Sequence, residues 1–208
     1  MNVLIIGLMF TAFLLTRVTR IHTAVVIFLL QSVMIAIASV AVGMETGETH
    51  YYLAAFLTVL IKAGLIPYAL FRIAGRLKKE REAGSLLNAN ASSLAAAFTT
   101  VLAYGLIDRA LPGVISRDAL AAAVALVFIG LQVIMIRRQA ILQIVGLNIM
   151  ENGLYLVSLS VTQGLPLIIE MGIFLDVLVA VAVLGILTYR LKISYFSTDT
   201  TLLQKLKG

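Results

Sequence analysis

Long apolar runs separated by short polar segments dominate the chain. Seven runs approach the length of a transmembrane helix, which is about 20 residues at 1.5 Å of rise each. They lie near 2–16, 21–42, 51–74, 93–107, 119–136, 140–161 and 166–189, the first and fourth being short. A backbone in lipid must satisfy its own hydrogen bonds, so helices are expected. The pattern predicts an all-α integral membrane protein of about seven transmembrane helices.

The composition agrees with a lipid environment. Hydrophobic residues make up 61% of the chain and charged residues 12%, whereas a soluble domain is about half apolar and a quarter charged. The first run lacks a preceding basic segment and a small-residue cleavage site, so we expect a retained helix rather than a secretory signal. Tyr51, Tyr52 and Tyr195 are expected to anchor at the membrane interface.

Basic residues predict the orientation. Of the 16 lysine and arginine residues, thirteen follow the odd-numbered helices: Arg17, Arg20, Arg72, Arg76, Lys78, Lys79, Arg81, Arg137, Arg138, Arg190, Lys192, Lys205 and Lys207. The positive-inside rule makes their side cytoplasmic. We therefore expect the N-terminus outside and the C-terminus in the cytoplasm. The net charge of +6 then reflects topology and anionic lipid rather than nucleic acid.

The chain divides into four segments. Residues 1–92 form an N-terminal three-helix half with a cytoplasmic linker, and 93–118 form a connecting fourth helix with an outer loop. Residues 119–192 form a second three-helix unit, and 193–208 a cytoplasmic tail. The two three-helix units run in the same directions, which leaves open a parallel repeat.

Redox chemistry is not expected in this chain. There are no cysteines, which excludes iron–sulfur clusters, thiolate metal sites and disulfides. His22 and His50 fall at predicted helix ends and do not face each other inside a bundle. No cofactor and no metal site are expected.

Four ionisable side chains fall within the apolar runs: Lys62, Glu151, Glu170 and Asp176. A charged side chain at mid-bilayer costs at least about 2.5–3.5 kcal/mol, so such residues usually mark a proton or ion path. The alternative is a buried ion pair that only joins helices. One lysine cannot pair with every carboxylate, so we favour proton or ion handling.

Other polar groups lie at comparable depth. Asn148 is three residues before Glu151 and shares its helix face, where it can hydrogen-bond the carboxylate or hold a water. Gln31 and Asn152 add further amides, and Gly153 lets a neighbouring helix or a water column come close. These residues are expected to support the carboxylate.

Lys62 lies five residues before Pro67. A proline within a helix frees a carbonyl one turn back and bends the helix. A lysine beside such a flexible segment is a plausible switch, because its charge can be lost by desolvation or kept by a carboxylate.

The motifs around these residues resemble hydrogenase-4 component E. The matching features are Met150-Glu-Asn-Gly153, Glu170-Met-Gly-Ile-Phe-Leu-Asp176, Lys62 before Pro67, and Leu206-Lys-Gly208. The resemblance covers the chain in length and helix order and is most specific from 137 to 192. Residues 119–192 are also similar to subunit K of respiratory complex I and to the C subunit of sodium/proton antiporters. In subunit K a glutamate stands at the position of Asn148, one turn before Glu151.

This resemblance implies a non-redox membrane subunit of a complex I-like energy-converting hydrogenase, such as a formate hydrogenlyase, in the cytoplasmic (inner) membrane of a prokaryote. The expected partners are antiporter-like membrane subunits, a membrane subunit of the quinone-chamber type, and the hydrogenase and iron–sulfur subunits of the cytoplasmic arm. The subunits of that arm would hold the nickel–iron centre and the iron–sulfur clusters.

In this hypothesis Glu151, Glu170 and Asp176, with Lys62 across the bundle, form part of a lateral chain of titratable groups and waters. Protonating one carboxylate alters the proton affinity of the next and passes a coupling signal along the membrane. Two alternatives stay open. One is a subunit of a related antiporter or a secondary transporter, and the other is a purely structural assembly subunit.

Overall fold

The computed structural model describes residues 2–75, 86–110 and 117–161, and in these ranges every regular element is helical. The helices are α1 (Asn2–Arg17), α2 (Ile21–Thr46), α3 (Thr49–Thr58), a π-helical segment (Val59–Leu65), α4 (Ile66–Ala74), α5 (Ala89–Ala110), α6 (Arg117–Ile136) and α7 (Ala140–Val161). The predicted seventh helix, with Glu170 and Asp176, lies outside the described residues.

The protein is an all-α, multi-pass membrane protein. In the described part of the chain, five helices are long and apolar enough to cross a membrane: Ile21–Thr46, Thr49–Arg72, Ala89–Ile107, Arg117–Ile136 and Ala140–Ser160. The second of these joins α3, the π-helical segment and most of α4, and is called the third span below. A shorter apolar helix, α1, precedes them.

Local capping explains where two helices differ from the apolar runs. The α2 helix continues to Thr46 and stops at Gly47, whose positive φ of 73° suits a residue without a side chain. The α5 helix begins earlier than predicted, at Ala89, because Asn88 Oδ1 accepts a hydrogen bond of 2.8 Å from the Ala91 N–H. Hydropathy alone does not detect such polar first turns.

Glycines bring α6 and α7 into backbone contact. A Cβ atom added to Gly130 would lie 2.5 Å from the Met150 nitrogen, and one added to Gly153 would lie 2.7 Å from the Ala123 oxygen. Small residues at a helix interface allow this approach in a membrane protein. The close approach predicted at Gly153 is thereby confirmed. We call this contact the glycine seam.

Arg137 holds the end of α1 against the end of α6. Its side chain is buried and its Nη2 donates to the main-chain oxygen of Thr16 at 2.7 Å and of Leu15 at 3.3 Å. These carbonyls belong to the last turn of α1 and lack partners within that helix. The sequence placed Arg137 among the loop charges, whereas the structure makes it an internal cap.

The start of the third span also differs from expectation. Tyr51 is fully buried, so its ring packs inside the bundle and does not face lipid, while its position at the level of the membrane interface stays a prediction. A Cβ atom added to Gly43 of α2 would lie 3.0 Å from the Tyr51 Cβ. The close packing of α2 on α3 thus encloses the tyrosine.

Candidate functional site

Lys62 and Glu151 meet inside the bundle. Lys62 Nζ lies 3.2 Å from Glu151 Oε2, and the side chains are only 5% and 2% exposed. Each residue is near the middle of its helix, Lys62 in the third span and Glu151 in α7. The structure therefore brings together two of the four ionisable residues singled out from the sequence, while Glu170 and Asp176 lie beyond the described residues.

A chain of amides supports the lysine. Lys62 Nζ donates to Asn152 Oδ1 at 3.1 Å, Asn152 Nδ2 donates to Gln31 Oε1 at 3.2 Å, and Gln31 Nε2 donates to the Leu8 carbonyl at 3.3 Å. A buried ion pair is tolerated only when further hydrogen bonds satisfy its remaining polar atoms. Elements α1, α2, α7 and the third span all contribute to this polar site.

The direction of these hydrogen bonds is fixed from one end. The Leu8 carbonyl can only accept, so Gln31 must turn its nitrogen toward it and its oxygen toward Asn152. Asn152 must then donate to Gln31, which leaves its oxygen facing Lys62. Lys62 consequently retains an acceptor in Asn152 whatever the charge of Glu151.

Lys62 stands in the middle of the π-helical segment. The Ile66 N–H bonds the Ile61 oxygen, five residues back, and the segment ends two residues before Pro67. Pro67 cannot donate the next α-helical hydrogen bond. The structure thus has a widened turn just before the proline, a feature frequent at functional sites, and the bend at Pro67 stays a prediction.

Asn148, Glu151, Asn152 and Tyr155 lie on one face of α7 by helical spacing, and all are buried. Asn148 does not hydrogen-bond the carboxylate as one sequence-based option had it. Its Nδ2 donates to the Ile144 oxygen at 2.8 Å, one turn back on the same helix. The Asn148 oxygen is therefore the atom that is left to interact with other groups of the site.

Sequence reasoning missed a second polar contact next to the pair. The Tyr155 hydroxyl lies 2.7 Å from Ser39 Oγ, which donates to the Tyr51 main-chain oxygen at 2.9 Å. Because the serine proton is used in this way, the tyrosine donates to the serine. This contact ties α7 to α2 and α3. Its signal in the sequence was Tyr155, one turn after Glu151 in an apolar run.

The described residues contain no group of three or more His, Cys, Asp or Glu side chains that could hold a metal ion. The chemistry that the polar site itself supports is proton binding. It combines one carboxylate, one lysine and neutral amides within an apolar bundle.

Comparison with known proteins gives two kinds of match. The chain is 32% identical over 169 residues to the uncharacterized protein Rv0085 of Mycobacterium tuberculosis, which covers 79% of this chain and 76% of that protein. It is 34% identical over 92 residues to hydrogenase-4 component E of Escherichia coli and of Shigella flexneri, and these matches span 44% of this chain and 43% of each relative. No protein-family model and no solved structure matches the chain.

Proposed function

The chain belongs to the same family as the uncharacterized protein Rv0085, and we propose that it is a membrane subunit of a hydrogenase-type complex that couples electron transfer to proton or sodium translocation. The buried ion pair of Lys62 and Glu151 carries this proposal. The partial similarity to hydrogenase-4 component E supports the type of complex.

Glu151 is the proton-accepting member of the pair. Lys62 is anchored by Asn152, so a proton that binds the Glu151 carboxylate leaves the lysine in place. The site then changes from a neutral ion pair to a net positive charge. In a low-dielectric interior that charge acts strongly on other ionisable groups nearby. Proton binding at Glu151 thereby becomes an electrostatic signal to the next titratable group.

We extend this relay to Glu170 and Asp176, which with Lys62 and Glu151 would form the lateral chain suggested by the sequence. The complete subunit would have seven transmembrane helices, an outer N-terminus and a cytoplasmic C-terminus in the inner membrane of a prokaryote. Membrane subunits of the antiporter-like and quinone-chamber types would flank it. The nickel–iron centre and iron–sulfur clusters would belong to the cytoplasmic arm.

Glu151→Gln in the intact complex tests the proposal. Glutamine keeps the shape of the side chain but cannot take up a proton, so ion translocation should be lost while hydrogen evolution with artificial donors continues. Glu48→Gln is the matched control, because Glu48 is exposed at the start of α3. Full ion translocation in the Glu151→Gln complex would contradict the proposal.

A structural assembly role is the second candidate, favoured by the charge balance of the pair. Replacing a buried ion pair by apolar residues is often neutral or stabilising. A purely structural subunit should therefore assemble and support full coupling in the double variant Lys62→Met, Glu151→Leu. The proposed relay instead predicts a complex that assembles but no longer translocates ions.

A further inference from the structure

Asn148 is a fully buried amide whose orientation is set by its own helix. It is 0% exposed, and its Nδ2 donates to the Ile144 oxygen at 2.8 Å. The Ile144 carbonyl can only accept, so the amide cannot turn its oxygen toward that group. The Asn148 oxygen is therefore directed away from its own helix backbone as an acceptor.

This acceptor has no hydrogen-bond partner within the part of the chain that the structure describes. A buried amide oxygen without a donor is unfavourable, and more so in a membrane interior than in a soluble protein. Two polar groups follow within one turn on the same helix face: Asn152, whose Nδ2 already donates to Gln31, and Glu151, three residues after Asn148. The Asn148 oxygen is therefore an unsatisfied hydrogen-bond acceptor close in sequence to Glu151.

The charge state of Glu151 decides whether it can donate a hydrogen bond to the Asn148 oxygen. A carboxylate has no proton to donate, and its oxygens repel an amide oxygen. A protonated carboxyl group has one O–H to donate. The ion pair places the charged Lys62 of the third span against Glu151, while the uncharged Gln31 of α2 bonds Asn152. Asn148 thus distinguishes the two protonation states in a way that Lys62 does not.

We propose that Asn148 Oδ1 accepts the O–H of protonated Glu151, directly or through one bridging water. This rests on the proposed function, in which Glu151 takes up a proton. In the charged state Glu151 pairs with Lys62. When a proton binds a carboxylate oxygen, the new O–H bond points to the Asn148 oxygen while Lys62 remains on Asn152. Asn148 is a positioning residue that gives the neutral acid its own hydrogen-bond partner.

Serine and alanine at position 148 form a matched pair for the test. A serine within a helix can donate to the carbonyl one turn back, as Ser32 does to the Phe28 oxygen at 3.0 Å. Its remaining lone pair can then accept the O–H of Glu151. Alanine has nearly the same volume and no side-chain oxygen. A difference between Asn148→Ser and Asn148→Ala is therefore caused by the presence of a hydrogen-bond acceptor and not by a change in packing.

Infrared difference spectra of the intact complex in membranes, taken between acidic and alkaline pH, provide the readout. The carboxyl C=O band of protonated Glu151 is the one that disappears in Glu151→Gln. Asn148→Ala should move it to higher wavenumber, as for an acid without an acceptor, and Asn148→Ser should leave it near its original position. Exchange into H₂¹⁸O distinguishes a direct hydrogen bond from one through a water, since a bridging water gives a shifted O–H band and a direct bond does not.

The outcomes separate this inference from the proposed function. If Glu151→Gln removes no band, Glu151 does not take up a proton and both ideas fail. If the band exists but is the same in the wild type and in Asn148→Ala, the inference alone is overturned. The same holds if Asn148→Ser and Asn148→Ala shift the band equally.

Discussion

The two sides of α7 are built in opposite ways. On one side the glycine seam brings its backbone against α6, with Gly130, Gly146 and Gly153 at the contact. On the other side α7 meets α2 and the third span through the polar site of Lys62, Glu151, Asn152 and Gln31. At the first side the contacts are with main-chain atoms and valine side chains. The second depends on side chains whose charge can change.

The difference indicates that one side of α7 fixes the position of the helix and the other side carries the ionisable groups. Backbone contact in the glycine seam fixes the position of α7, so a proton on Glu151 is less able to displace the helix itself. In the proposed relay the response is then electrostatic, because Asn152 keeps the lysine in place.

Substitution in the glycine seam should have the largest effect. In Gly130→Ala the new methyl group would overlap the α7 backbone, at 2.5 Å from the Met150 nitrogen. Overpacking costs about 1–3 kcal/mol where side chains can move aside, and here the overlap is with main-chain atoms. We therefore expect a larger cost than for any other variant below, so the amount of assembled subunit and its thermal stability should fall sharply. Gly105→Ala is the control, because an added Cβ at Gly105 meets nothing within 4 Å. Equal stability of the two variants would show that the seam is not tightly packed.

Removing the lysine alone should come next. Lys62→Met leaves Glu151 buried without its cation, and breaking a buried pair in this way costs about 3–5 kcal/mol unless the carboxyl group takes up a proton. We expect a lower unfolding temperature at alkaline pH and partial recovery at acidic pH, measured on the subunit in detergent. Adding Glu151→Leu should remove this pH dependence. A single variant with wild-type stability at all pH values would contradict a charged pair.

Gln31→Leu should have an intermediate effect. It leaves Asn152 Nδ2 without its partner, while the Leu8 oxygen still accepts from Thr11 Oγ1 at 2.9 Å, and a buried unsatisfied group costs about 1–3 kcal/mol. Asn152 is then free to turn, so Lys62 loses its fixed acceptor and the coupling ratio of the complex should fall. Ion translocation per hydrogen evolved is the measurement. An unchanged ratio would mean that the amide chain does not hold the lysine.

The smallest effect is expected at the hydroxyl contact. Tyr155→Phe removes the hydrogen bond to Ser39 but leaves both the glycine seam and the ion pair intact. The net loss should be about 0.5–1.5 kcal/mol, seen as a modest decrease in thermal stability with coupling retained. Tyr104→Phe on α5 serves for comparison. A loss of coupling in Tyr155→Phe would place the tyrosine within the relay instead.

The apolar runs predicted the described helices well because membrane insertion depends on local composition. They also located Lys62 and Glu151, since a charge in an apolar run stands out. Other features depend on neighbours distant in sequence. Arg137 caps α1, which no local pattern shows, and Tyr51 is enclosed by α2. The π-helical register and the direction of the Asn148 amide likewise follow from three-dimensional hydrogen bonding.

The fixed direction of the hydrogen bonds through Asn152 and Gln31 bears on the leakage of protons across the membrane. Primary amides donate and accept hydrogen bonds but do not readily give up or take on a proton. The route from Lys62 through Asn152 and Gln31 ends at a main-chain carbonyl, so it holds the lysine without conducting. The amide chain therefore offers no proton path toward α1 and α2. In the proposed relay, protons would then reach and leave Glu151 by another route, and a short circuit across the membrane through the amide chain would be prevented.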